Sequence, residues 1–133
     1  MRKVFAAFLF CLFCGVVNAS AQTDYCFQND GLKLRQRATF TITGNKVEGT
    51  FESGSYDEGT SAETFDFTGT KAGNLLTIKF VGGKPPYELP PGTKRIVWTL
   101  TARSLKVPTY GKNYNTNRYT PYVATYDKCK NDQ

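Results

Sequence analysis

The sequence predicts an all-β domain, a single antiparallel up-and-down meander of seven or eight strands that closes as a small barrel. Apolar and polar residues alternate at a period of two over most of the chain, short Gly- and Asn-containing breaks separate these runs, and no stretch holds a helical period. A two-layer β-sandwich would show the same alternation, so periodicity leaves that alternative open.

The elements follow in order. Over residues 32–43, Leu32, Leu34, Ala38, Phe40 and Ile42 stand at even positions and Lys, Arg or Thr at every odd one, which reads as a half-buried strand. Gly44-Asn45 makes a turn, and Val47, Gly49 and Phe51 continue the inner face opposite Lys46, Glu48, Thr50 and Glu52. After a polar loop, Phe65, Phe67 and Gly69 line a third strand. Residues 71–74 then turn into a fourth, with Leu76, Ile78 and Phe80 inward and Thr77 and Lys79 outward. Residues 82–92 carry Pro85, Pro86, Pro90 and Pro91, which excludes helix and central strand and leaves a loop. Ile96, Trp98 and Leu100 resume the inner face, and residues 102–104 turn. Leu105 and Val107 begin another strand in which Pro108 marks an edge or bulge, and residues 119–128 form the last strand.

The first residues address the compartment. Arg2 and Lys3 precede an apolar run over residues 4–17 and then Ala19-Ser20-Ala21, a pattern that a signal peptidase accepts. We therefore expect residues 1–21 to be a signal peptide, with cleavage after Ala21 or Ala19, and residues 22–133 to form a single exported domain, secreted or periplasmic. The apolar run is short for a membrane span and no second one follows. Cys11 and Cys14 fall within the leader. The remaining pair, Cys26 and Cys129, is expected to form a disulfide in an oxidising compartment, which brings the two ends of the mature chain together.

Loss of Arg2 and Lys3 leaves fifteen basic residues against eleven acidic ones, a net charge of +4. That excess favours solubility, and with no dense basic run it does not indicate a nucleic-acid partner. The chain is expected to be a monomer without a cofactor. It contains no histidine, which removes Ser-His-Asp and Cys-His catalysis and any histidine-ligated metal. Carboxylates remain, and Asp57, Glu58, Glu63 and Asp66 gather around one hairpin, where the reading is a solvated acidic loop. We expect no enzyme and no metal site.

The candidate site is the stretch Thr109 to Tyr122, with tyrosines set among asparagines and threonines. Residues 110–119 read as the loop between the last two strands, longer than a tight hairpin needs, and Tyr110, Lys112, Tyr114 and Arg118 as its contact residues. Tyrosine offers a ring that stacks and a hydroxyl that bonds, which suits a glycan or a protein partner. Of the strand tyrosines Tyr119, Tyr122 and Tyr126, some are expected to fill the core.

Residues 38–51 (ATFTITGNKVEGTF) and 65–80 (FDFTGTKAGNLLTIKF) resemble the repeating hairpins of avidin-like and lipocalin-like barrels, and of many small exported bacterial proteins. The resemblance implies a meander barrel, and no motif here carries over the ligand-binding residues of those families. A second resemblance is to exported inhibitors of c-type lysozyme, small barrels in which an early cysteine after an aromatic residue pairs with a late one; Tyr25-Cys26 and Cys129 fit that outline. Those inhibitors present a late Ser-Gly-x-x-Tyr loop. Here Ser53-Gly-Ser-Tyr56 is one residue shorter and lies early in the chain.

Overall fold

The computed structural model describes residues 21–31, 34–55 and 62–130. The expected leader, with Cys11 and Cys14, lies outside the described residues. Eight strands, β1 (Gln22–Asp30), β2 (Leu34–Thr43), β3 (Lys46–Ser55), β4 (Glu63–Ala72), β5 (Leu75–Phe80), β6 (Ile96–Leu100), β7 (Ser104–Asn113) and β8 (Arg118–Lys128), each pair antiparallel with their chain neighbours. Because β8 also pairs with β1, the sheet is a closed barrel and the sandwich alternative falls away.

The period of two that marks β2 to β8 marks β1 only weakly, since Tyr25 and Phe27 are its two large apolar side chains. The structure shows a full strand there, in register with β2 from Gln22↔Thr43 to Asp30↔Arg35. The second strand accordingly starts at Leu34, whose side chain is exposed at the barrel rim.

The tight turns follow local chemistry. Gly44 and Gly73, with φ of 62° and 61°, each precede an asparagine in a two-residue hairpin loop, and a positive φ confined to the first central position is the pattern of a type II′ turn. Between β6 and β7, Thr101 Oγ1 accepts from the Ser104 backbone N–H at 3.0 Å while the Thr101 N–H donates to the Ser104 carbonyl at 2.9 Å. Ser104 thus starts β7 instead of closing the turn. Gly49, on the inner face of β3, sits where a Cβ would collide with the Phe40 side chain and the Thr39 carbonyl, so its lack of a side chain lets β2 and β3 coil closely.

The barrel interior is filled. Phe51 lies among Phe80, Tyr87, Trp98 and Tyr126 at ring-centroid distances of 5.7 to 6.2 Å, and Trp98 meets Phe67 edge-to-face at 5.0 Å. Such pairs each add about 0.5–1.5 kcal/mol beyond burial. Trp98 is fully buried between Ile96 and Leu100, as the alternation in β6 implies.

Pairing is thin at two seams, β6–β7 and the closing seam between β1 and β8, with two register pairs each. Only Phe27↔Lys128 and Gln28↔Asp127 pair β1 with β8. One residue further, on the outer face, Cys26 and Cys129 form the disulfide, with Cα atoms 5.4 Å apart across a sequence separation of 103, and the Cys129 N–H donates to the Cys26 carbonyl at 3.0 Å.

Candidate functional site

The two ends of the barrel differ. The turns at Gly44-Asn45, Gly73-Asn74 and residues 101–103 close one end, whereas the proline-rich connection of residues 81–95 and the β7–β8 turn leave from the other. At that second end the β7–β8 hairpin outruns its neighbours. Continuing the Thr99↔Lys106 register sets Ile96, the first residue of β6, opposite Thr109. Continuing Phe27↔Lys128 sets Asp30, the last residue of β1, opposite Thr125. The ribbon beyond those points is an arm that overhangs the rim by roughly 20 Å, at about 3.3 Å per strand residue.

This corrects the reading of residues 110–119 as a loop. Pairing runs without a break from Ser104↔Asp127 to Asn113↔Arg118, leaving only Tyr114 to Asn117 as the turn. Asn113 Oδ1 accepts from the Asn115 N–H at 3.0 Å and the Thr116 N–H at 3.4 Å, and Asn117 takes the left-handed φ of 56°. Asparagines that signal a long loop therefore serve a short one. Cross-strand aromatic contact supports the ribbon, with the Tyr110 and Tyr119 rings 5.8 Å apart.

The register divides the predicted contact residues. Tyr110 and Lys112 share the arm's outer face with Tyr119, Pro121 and Val123; Tyr114 occupies the tip, 90% exposed; Arg118 belongs to the opposite face with Thr120 and Tyr122. Tyr126, on that same inward face but inside the barrel, is buried, whereas Tyr119, Tyr122 and Val123 are all more than half exposed. The Tyr122 ring lies against Gly111, whose missing side chain makes room for it.

Pro108 and Pro121 mark the two sides of this ribbon. The Tyr110 N–H points away from β8, to the Glu88 carbonyl at 3.0 Å. Backbone groups of Pro108, two residues earlier, and of Pro121, paired with Tyr110, therefore also face away from the β7–β8 ladder. Pro108 thus stands at a local edge, one of the two settings expected of it, with no bulge in the β7–β8 register. Its missing N–H falls on the β6 side, where the β6–β7 ladder ends after two register pairs. Pro121 lies on the side of β8 that β1 does not reach.

The proline-rich connection folds back across the open end. Tyr87 reaches the barrel rings, and its phenol oxygen accepts the Trp98 indole N–H at 3.0 Å. The Glu88 carbonyl accepts from Thr109 Oγ1 at 3.0 Å as well as from the Tyr110 N–H. Burial pushes the Tyr87 phenol up to about 12, against a smaller lowering by its bond to Trp98. Burial also raises the Tyr126 phenol, helped by the other phenols Tyr87 and Tyr122; Tyr126 donates to Gln36 Oε1 at 2.6 Å.

Between this connection, the start of β2 and the arm remains a cleft of about 330 Å3, with Asn29, Gln36, Tyr87, Tyr110, Tyr122 and Tyr126 among its walls. Of the four contact residues read from the sequence, Tyr110 alone reaches it. The others in its walls lie far apart in the chain, and the one local signal for Tyr87 is a tyrosine centred among four prolines.

The remaining sequence candidates do not converge. Glu63 and Asp66 are exposed on β4, Asp57 and Glu58 lie outside the described residues, and no group of three His, Cys, Asp or Glu able to hold a metal occurs among the described residues. Ser53, Gly54 and Ser55 belong to β3, paired with β2, and Tyr56 lies outside the described residues. No helix among the described residues is long and apolar enough to cross a membrane. No protein-family model, curated protein or solved structure matches the chain.

Proposed function

We propose that this chain is an exported, non-catalytic binding protein that engages a glycan or a protein partner at the end of the barrel carrying the long connections. One observation carries the reading: the β7–β8 ribbon overhangs the rim with Tyr114, Tyr119, Tyr122 and Val123 all more than half exposed. Large apolar side chains gathered on a projecting element are costly to leave in water and suit a contact surface. The filled interior directs binding to the rim and arm instead of a hollow core. The lack of histidine in the whole sequence supports a binding role over acid–base chemistry.

The exported protein, immobilised and probed with a glycan array and a panel of c-type lysozymes, tests this. The reading expects at least one binder that is weakened tenfold or more by Tyr114→Ala at the arm's tip. A binder indifferent to the arm and to the rim, or silence on both panels, would overturn it.

A further inference from the structure

We infer that the cleft between the proline-rich connection and the arm holds the end of a neutral glycan chain, with a sugar ring laid on Tyr122 and its hydroxyls paired with the side-chain amides of Asn29 and Gln36. This rests on the loop end being the binding end and names what binds there. The volume, about 330 Å3, stands at the small end of ligand pockets, roughly 300–1,000 Å3.

The chemistry of the walls selects the ligand. Among the described residues no lysine or arginine lines the cleft and Glu88 is its one carboxylate, so an anion would meet repulsion there without a counter-charge. A lipid chain would leave the Asn29 amide and the Gln36 Nε2 protons without hydrogen-bond partners. A pyranose matches both demands, because its C–H face is apolar while its edge carries hydroxyls that donate and accept together. Gln36 is oriented for this: its Oε1 is held by the Tyr126 hydroxyl at 2.6 Å, which fixes the amide flip and leaves both Nε2 protons to offer. The Asn29 side chain makes no bond to another described residue. The Tyr122 ring lies against Gly111 and is half exposed, so part of it is held in place while part stays open to a ligand. Pre-set donors and a rigid ring reduce the ordering cost of holding a flexible saccharide.

Trp98 is the only tryptophan, and its indole N–H is bonded to Tyr87 in the cleft wall. Its nitrogen–proton NMR signal is therefore a single, assigned reporter. Isotope-labelled exported protein would be titrated separately with chitotriose, cellotriose, maltotriose and mannotriose, and with a heparin tetrasaccharide and laurate as anionic and apolar probes. The expected result is saturable movement of the Trp98 indole and of the Asn29 and Gln36 side-chain amides with at least one neutral trisaccharide. Tyr122→Ala and, independently, Asn29→Ala should weaken it at least tenfold with the remaining spectrum unchanged. Movement caused only by the heparin fragment or by laurate, or no movement with any probe, overturns the inference. Should the sugars leave these signals still while a lysozyme binds and loses affinity on Tyr114→Ala, the glycan cleft falls and the loop-end reading stands. Sugar binding in the cleft that ignores Tyr114 upholds the cleft and removes only the arm's tip from the contact.

Discussion

The indole N–H of Trp98 donates to the phenol oxygen of Tyr87 at 3.0 Å, joining a wall strand of the barrel to the connection that crosses its open end. Tyr87→Phe keeps the ring in place and removes the acceptor, so a buried N–H loses its partner at a cost of about 1–3 kcal/mol. Trp98→Ala should cost more, about 3–5 kcal/mol, because it also opens a cavity among Phe51, Phe67 and Phe80. Urea denaturation of the two variants checks the order. No loss in Tyr87→Phe would mean that packing alone holds the connection down.

The seam between β1 and β8 gives a second prediction. With only two register pairs there, the Cys26–Cys129 bond supplies much of the closure, and a crosslink of this span removes unfolded-state entropy worth about 4–5 kcal/mol in the loop-closure picture. Unfolded, unreduced mature protein should bind no thiol reagent, and reduction should lower the denaturation midpoint sharply. Two labelled thiols before reduction would contradict the pairing.

Alkaline pH should unfold the protein. Tyr87 and Tyr126 hold their phenols above the usual value of about 10, chiefly through burial. A group with a raised native pKa favours the folded state fully below its unfolded pKa and loses that contribution as pH rises through the native value. Stability should therefore be flat with respect to these groups near neutrality and fall from about pH 10 towards 12. In a phenolate absorbance titration, Tyr87 and Tyr126 should ionise late, together with unfolding. Their titration at about pH 10 in folded protein would contradict the burial.

Pro121 sits on the open side of β8, where a donor would otherwise await a further strand, and proline on an edge blocks such pairing. Pro121→Val should leave the fold intact and raise self-association, visible as a concentration-dependent mass in sedimentation. A variant whose sedimentation matches the parent's at every concentration would mean that the arm's edge needs no protection.

Much of the fold is legible in the alternation. Phe40, Val47, Phe67, Leu76, Trp98 and Val107 all lie inside, as their positions in the runs imply. β1 escapes because Tyr25 and Phe27 make too short a pattern, and its pairing with β2 supplies what its own sequence does not. The arm escapes for the opposite reason. Gly111, Asn113, Asn115 and Asn117 carry loop chemistry, yet the ladder continues through the first two of them, because tertiary pairing overrides local preference. The cleft is hardest to read, since Asn29, Gln36, Tyr87 and Tyr122 meet only through register and a connection folding back, neither of which a linear pattern encodes.

The most direct test of the central claim, that the loop end and its arm form the contact surface, is a paired measurement on Tyr114→Ala/Tyr119→Ala: affinity for whichever array glycan or lysozyme binds the parent, and melting temperature. Both side chains are mostly exposed, at 90% and 60%, so their removal should leave the melting temperature nearly unchanged. Loss of a central aromatic contact of about 2 kcal/mol should weaken binding roughly thirtyfold. Unchanged affinity with a lowered melting temperature would contradict the claim and make the arm a packing element of the barrel.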